Sequence, residues 1–197
     1  MKAMLASKAI RKEIESGEKD YAALWIEELD LLAVFEDNGE LVSKDSVVLR
    51  EMEKAREKRI YEIKKNGVLI APLYGLLKGE ALRNFDEAEE HISEAITVVM
   101  KTKGLHGADI LMDAKPWFTK LAELWNTDLL IFPSSIHEII VVKLSDHGLI
   151  DGSKNLTRDI NATNVTAEDA LTDAEYIFRK ETGKYEIIRP DDFYWDK

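Results

Sequence analysis

Cysteine is missing from all 197 residues. Its absence excludes disulfides, thiolate zinc sites and thiol catalysis, and it fits a reducing cytoplasm. Long apolar runs are missing too: nothing approaches the roughly 18 apolar residues of a spanning helix. The opening MKAMLASKAIRKEIESGEKD is too broken by charge to hold the apolar core of a secretory signal. A soluble cytoplasmic protein is expected. The familiar chemical motifs are absent as well. There is no Gly-x-Gly-x-x-Gly, and GLLKGEALRN has two glycines and a lysine without phosphate-loop spacing. A Gly-x-Ser-x-Gly elbow and a His-Glu-x-x-His pair are also lacking. No internal repeat or low-complexity tract interrupts the chain.

Positive charge is scarce: 27 Lys and Arg stand against 38 Asp and Glu, a net of -11. That balance argues against nonspecific binding to nucleic acid or anionic membranes, which gain affinity from cations set against phosphates. The charge is blocky, with acids over 18–40, a locally basic 44–65 and acids again over 80–94. Arg50, Lys54, Arg56, Lys58 and Arg59 are interleaved with Glu51, Glu53 and Glu57, the pattern of a solvated helix.

What is present points to an α+β fold. Residues 1–16 read as an amphipathic helix with Leu5, Ile10 and Ile14 on one side, stopped by Gly17. Residues 20–34 read as a second helix. A hairpin about Asn38-Gly39 is the alternative for its far end. A charged helix follows, opened by Ser43 or Asp45 and closed at Asn66-Gly67, whose narrow stripe of Leu49, Met52, Ile60 and Ile63 leaves most of its surface to water or a partner. A strand over 68–74 comes next, then a helix from the Asn84 cap to about Lys103, extended chain over 108–112, and a helix from Pro116. The stretch DLLIFPSSIHEIIVVKL, 128–144, reads as a core hairpin with a polar corner at Pro133, Ser134 and Ser135. A loop over 146–153, a helix over 154–162, a turn capped by Thr166 and a hairpin of 174–179 with 185–188 complete the body. The sum is a mainly antiparallel sheet with helices on one face (67–197), preceded by a helical N-terminal region (1–66). Trp25, Trp117 and Trp125 are assigned to the core, while Trp195 lies in an unassigned acidic tail.

Residues Ser134, Ser135, His137 and Glu138 are the candidates for catalysis, as nucleophile, base and orienter. Alternation along a strand sets Ser135 and His137 on one face and Glu138 on the other, so a triad needs a remote acid such as Asp113, Asp146 or Asp173. A structural role competes: the serines satisfy turn amides and His137 bonds within the scaffold. His91, His106, His137 and His147 lack metal-site spacing, so no metal or cofactor is expected.

At PSSIHE the sequence resembles an uncharacterised bacterial family, a domain of unknown function whose members carry Pro, two Ser, a hydrophobic residue, His and Glu between strands. Upstream, GADILMDAKPWFTKLAELW resembles that family's strand and following helix. Downstream, RDINATNVTAEDALTDAEYIF resembles its Asn-x-Thr segment, acidic turn and closing strand. The likeness covers about 104–188. It implies a bacterial origin, on a phage or other mobile element, and brings no established activity. The expected function is non-catalytic: binding or regulation of another protein through the charged helices or the PSSIHE corner, with inhibition of a host defence nuclease as a specific form. The alternative is a hydrolase or nuclease using Ser135 and His137.

Overall fold

The computed structural model describes residues 1–145 and 156–190. Two antiparallel sheets organise them. The smaller has strand order β1-β3-β2, from β1 (Lys2–Leu5), β2 (Ala23–Ile26) and β3 (Leu31–Asp37), with the short β4 (Glu40–Leu41) against β3. The helix α1 (Lys8–Glu15) lies between β1 and β2 in the chain, and α2 (Leu49–Asn66) leads out of this sheet.

The expected helical N-terminal region is therefore corrected: the chain starts with a strand, and 20–34 holds strand rather than helix. The reason lies in the run Leu31 to Phe35, which is buried on both faces and too short for a helix of its own. Its register is fixed by the two-residue Asn38-Gly39 turn, where both φ angles are positive (52° and 88°) and Asp37 pairs with Glu40. The alternative hairpin reading is the one observed. The helix at 1–16 survives only as α1, capped by the Ser7 hydroxyl accepting from the Ile10 amide.

The larger sheet runs β11-β10-β8-β9-β7-β5-β6. Its strands are β5 (Val68–Pro72), β6 (Arg83–Asn84), β7 (Thr97–Thr102), β8 (Leu129–Phe132), β9 (Ile139–Lys143), β10 (Glu175–Phe178) and β11 (Tyr185–Ile188). Between them lie α3 (Leu73–Leu77), α4 (Glu89–Ile92), α5 (Lys115–Trp125) and α6 (Leu156–Asn164). The expected helix from Asn84 to Lys103 shrinks to α4, because Thr97, Val98 and Val99 open a strand that pairs with both β5 and β9. β-branched residues pack better on a pleated surface than on a helix. The expected extended stretch at 108–112 is a buried 3-10 turn, Gly107–Asp113. The central hairpin of β8 and β9 and the closing hairpin of β10 and β11 both form, in antiparallel register. The expected loop at 146–153 and the acidic tail from Asp191 lie outside the described residues.

Side-chain alternation divides the large sheet cleanly. Leu129, Ile131, Ile139, Val141, Tyr176 and Phe178 face the principal core, while Leu130, Phe132, Val142 and Ile177 face a second cluster that Leu156 of α6 joins. The principal core continues without a break into the small sheet through Ala3, Leu5, Leu31, Ala33 and Phe35. Met4, Leu32 and Val34 on that sheet's other face are covered by Ile10 and Ile14 of α1. Trp117 and Trp125 are core residues, but Trp25 is 43% exposed, with the Arg11 guanidinium 4.8 Å above its ring. No helix among the described residues is long and apolar enough to cross a membrane.

One buried polar junction fastens the sheets together. The Asp109 carboxylate accepts from the Leu5 amide of β1 (2.9 Å) through one oxygen and from Arg59 Nε of α2 (2.8 Å) through the other. Asp109 is wholly buried and Arg59 nearly so. A second tie comes from the Tyr176 hydroxyl of β10, which donates to the Leu29 carbonyl at 2.7 Å.

Candidate functional site

Pro133 ends β8, having no amide hydrogen for the ladder, and residues 133–138 turn across the end of the sheet. Backbone bonds then brace the corner on two sides. The Ser134 carbonyl accepts from the Leu171 amide (3.0 Å), the Ile136 amide donates to the Asp169 carbonyl (2.8 Å), and the Ile136 carbonyl accepts from the Ala108 amide (3.1 Å). Ser135 forms an antiparallel bridge with Ala170. On the Ala108 side the fit depends on Gly107: a Cβ there would stand 1.8 Å from the His137 carbonyl oxygen.

The side chains fall into two groups. Ser134 and Ser135 are buried, and the Ser135 hydroxyl accepts from the His137 amide at 3.1 Å. His137 and Glu138 are exposed. The His137 ring meets Asp169 through Nε2 at 3.1 Å, and the other Asp169 oxygen accepts from the Thr166 hydroxyl at 2.9 Å. Those two bonds, Thr166 first, hold the Asp169 carboxyl below the usual carboxylate range. His106 lies close by in a left-handed conformation (φ 57°). Burial and the nearby Lys2 charge lower its pKa.

Of the four candidate positions, Ser135 and His137 are thus linked, through the residue 137 amide and in an order unlike a triad. The serine hydroxyl is engaged by backbone and the imidazole by a carboxylate, and the acid is none of those foreseen. Asp113 pairs with Lys64 at 2.6 Å, Asp173 pairs with Lys8, and Asp146 lies outside the described residues. Asp169 was missed: the Thr166 cap marks a turn, but nothing local ties this acid to His137 across 32 residues. The Thr166 cap three residues earlier orders this turn, its hydroxyl also accepting from the Asp169 amide. Among the other histidines, His91 pairs with Glu80 at 2.9 Å, and His147 lies outside the described residues. No three His, Asp or Glu side chains converge on a metal position among the described residues.

The far side of the same 165–173 segment forms one wall of a cleft of about 910 Å³, closed by α1 and α6. Ala170 joins the two places: it bridges Ser135 on the corner side, while its carbonyl accepts from the Lys8 amide at the start of α1 (2.7 Å).

A family model described as "Family of unknown function (DUF5688)" matches residues 35–180, which takes in the corner, α2 and α6. No curated protein and no solved structure matches the chain.

Proposed function

We propose, for a chain that belongs to this family of unknown function, a non-catalytic role: it binds and regulates another protein through the 133–138 corner. The observation that carries this reading is the way the corner presents His137 and Glu138. Both are exposed on a backbone braced from two sides, and the imidazole is already oriented by Asp169 and Thr166. Groups held in place before contact lose little entropy on binding, which suits recognition. The rival hydrolase or nuclease requires the Ser135 hydroxyl to leave the His137 amide and turn toward the ring.

A pull-down from the source cell with the wild type and with His137→Ala tests the proposal. The wild type is expected to retain a partner that the variant loses while keeping its circular dichroism spectrum. An unchanged partner set, or substrate turnover abolished alike by Ser135→Ala and His137→Ala, overturns it. The narrower form has the partner be a host defence nuclease whose basic channel accepts carboxylates in place of phosphates. The exposure of Glu87, Glu89, Glu90 and Glu94 supports this form. It requires capture to weaken steeply with salt, and a complex indifferent to salt removes it.

A further inference from the structure

We infer that a second cleft, lined from β2, α2, the start of α5 and β11, binds a free aromatic amino acid: its carboxylate on Arg56 and Tyr185, its ammonium on Glu27 and its ring against Trp25. No residue of the 133–138 corner lines this cleft, so the inference goes beyond the proposed recognition surface and stands whether or not that surface recruits a protein.

Unmatched charges define the two polar ends. The charged side chains lining the cleft are Glu27, Glu28, Arg56, Asp113 and Lys115. Glu28 and Lys115 pair with each other at 2.8 Å, and Asp113 pairs with Lys64 at 2.6 Å. One cation and one anion are left. Arg56 has no ion pair or acceptor among the described residues, and its Nε is shielded from solvent. Arginine keeps its charge, and a shielded N–H without an acceptor carries a desolvation cost that an incoming oxygen removes. A carboxylate suits the guanidinium fork, because it accepts two parallel bonds from it. Glu27 is exposed, and its carboxylate has no partner among the described residues. Since Arg56 and Glu27 do not pair with each other, a plain anion meets the opposing field of Glu27 and a plain cation that of Arg56. A zwitterion is attracted by both.

Tyr185 adds a donor for the carboxylate. Its ring packs against Phe118 and Phe178, with centroids 6.2 Å and 5.3 Å away, while its hydroxyl makes no hydrogen bond among the described residues. Burial and the charges of Glu28 and Asp113 raise its pKa, so the hydroxyl keeps its proton and donates.

The remaining lining defines the ring. The cleft encloses about 410 Å³, within the roughly 300–1,000 Å³ that small-molecule sites occupy. Buried Ile26, Leu29, Leu111 and Met112 contribute apolar surface, and Trp25 lines the cleft with 43% of its own surface exposed. The Arg11 guanidinium takes one face of that indole at 4.8 Å and does not line the cleft, which leaves indole surface for an aromatic ring.

Calorimetry on the full chain with L-phenylalanine measures the binding. One molecule is expected to bind per chain. Phenethylamine lacks the carboxylate and 3-phenylpropanoate lacks the ammonium, and each is expected to bind about tenfold more weakly or worse. L-alanine lacks the ring and is expected not to bind. Arg56→Met should abolish binding of L-phenylalanine. Glu27→Gln and Trp25→Ala change exposed positions, and each is expected to weaken binding about tenfold with an unchanged circular dichroism spectrum. The inference is overturned by no binding of L-phenylalanine to the wild type, or by binding of phenethylamine, 3-phenylpropanoate or L-alanine as tight as that of L-phenylalanine. Undiminished binding by the Glu27→Gln or the Trp25→Ala variant overturns it equally.

Discussion

The corner at 133–138 and the junction of Arg59 with Asp109 both join distant parts of the chain through polar groups, at opposite depths. At the junction, an ion pair of 2.8 Å is sealed in the core and shares its carboxylate with a backbone amide of β1. At the corner, the hydrogen-bonded pair of His137 with Asp169 is open to water, its side chains 46% and 37% exposed, and the bracing is done by backbone bonds and by Gly107. The conspicuous motif thus carries exposed chemistry on a backbone frame, whereas an inconspicuous arginine in a charged helix carries the fold. Water decides the difference: a buried charge that loses its partner has nothing to replace it, while an exposed one is solvated at once.

The largest expected effect follows from that asymmetry. Asp109→Ala leaves the Arg59 guanidinium buried without its carboxylate and the Leu5 amide without its acceptor, and should cost about 3–5 kcal/mol. A shift of the urea midpoint measures it. The double variant Arg59→Met with Asp109→Leu should recover most of that loss, because a packed apolar pair replaces a buried ion pair at little cost. Recovery should stop short of complete, since the Leu5 amide stays unsatisfied. A single variant with no more effect than a surface change would erase the contrast between the two regions.

At the corner the comparable vulnerability is in the backbone. Gly107→Ala drives a methyl group against the His137 carbonyl, so the turn or the corner must move, at about 2–4 kcal/mol. Gly104→Ala three residues away supplies the control. It has φ of 89° but nothing within 4 Å, and strain alone should cost about 1 kcal/mol. Equal losses in the two variants would show that close approach is not what Gly107 provides.

These two regions also show what was legible in the sequence. The hairpins of β8 with β9 and of β10 with β11 could be read because each pairs two apolar runs close in the chain. Helix α5 followed from Pro116 at its start and the spacing of Trp117, Phe118, Leu121 and Trp125. The N-terminal strands were misread because short apolar runs at 21–35 satisfy helical spacing nearly as well as alternation. Only pairing across β3 decides between them. Arg59 looked like one cation among five on a solvated face, since nothing local marks the one of them that meets Asp109, fifty residues away. At the candidate site, Ser134, Ser135, His137 and Glu138 were picked out by type alone, whereas Asp169 was not, because a contact across 32 residues leaves no spacing rule.

Acidity offers a finer test. Burial raises the Asp109 carboxyl to about 6, with Arg59 only partly opposing it. A carboxyl whose folded pKa is raised holds its proton more tightly in the native state. Its contribution is complete below about pH 4 and is lost as pH rises through about 6. Asp169 and Asp173 have lowered values and run the other way, losing their contribution as pH falls. The useful measurement is therefore the difference between wild type and Asp109→Asn across that window. The wild type should lose on the order of 1–3 kcal/mol relative to the variant as pH rises from about 4 to about 7. A parallel pair of profiles would mean that Asp109 stays ionised throughout.

The smallest expected effect on stability is also the one that most sharply separates the regions. His137→Ala removes a half-exposed ring whose single side-chain partner among the described residues, Asp169, is itself open to solvent and keeps its bond to Thr166. The Ser135 hydroxyl is undisturbed because it accepts from the backbone amide of residue 137, which alanine retains. None of the braces to Ala108, Asp169 and Leu171 involves the ring. The urea midpoint should therefore stay within experimental scatter while partner capture is lost. A clear drop in the midpoint would place the imidazole among the structural elements of the corner, and the surface that meets a partner would have to be sought elsewhere on the molecule.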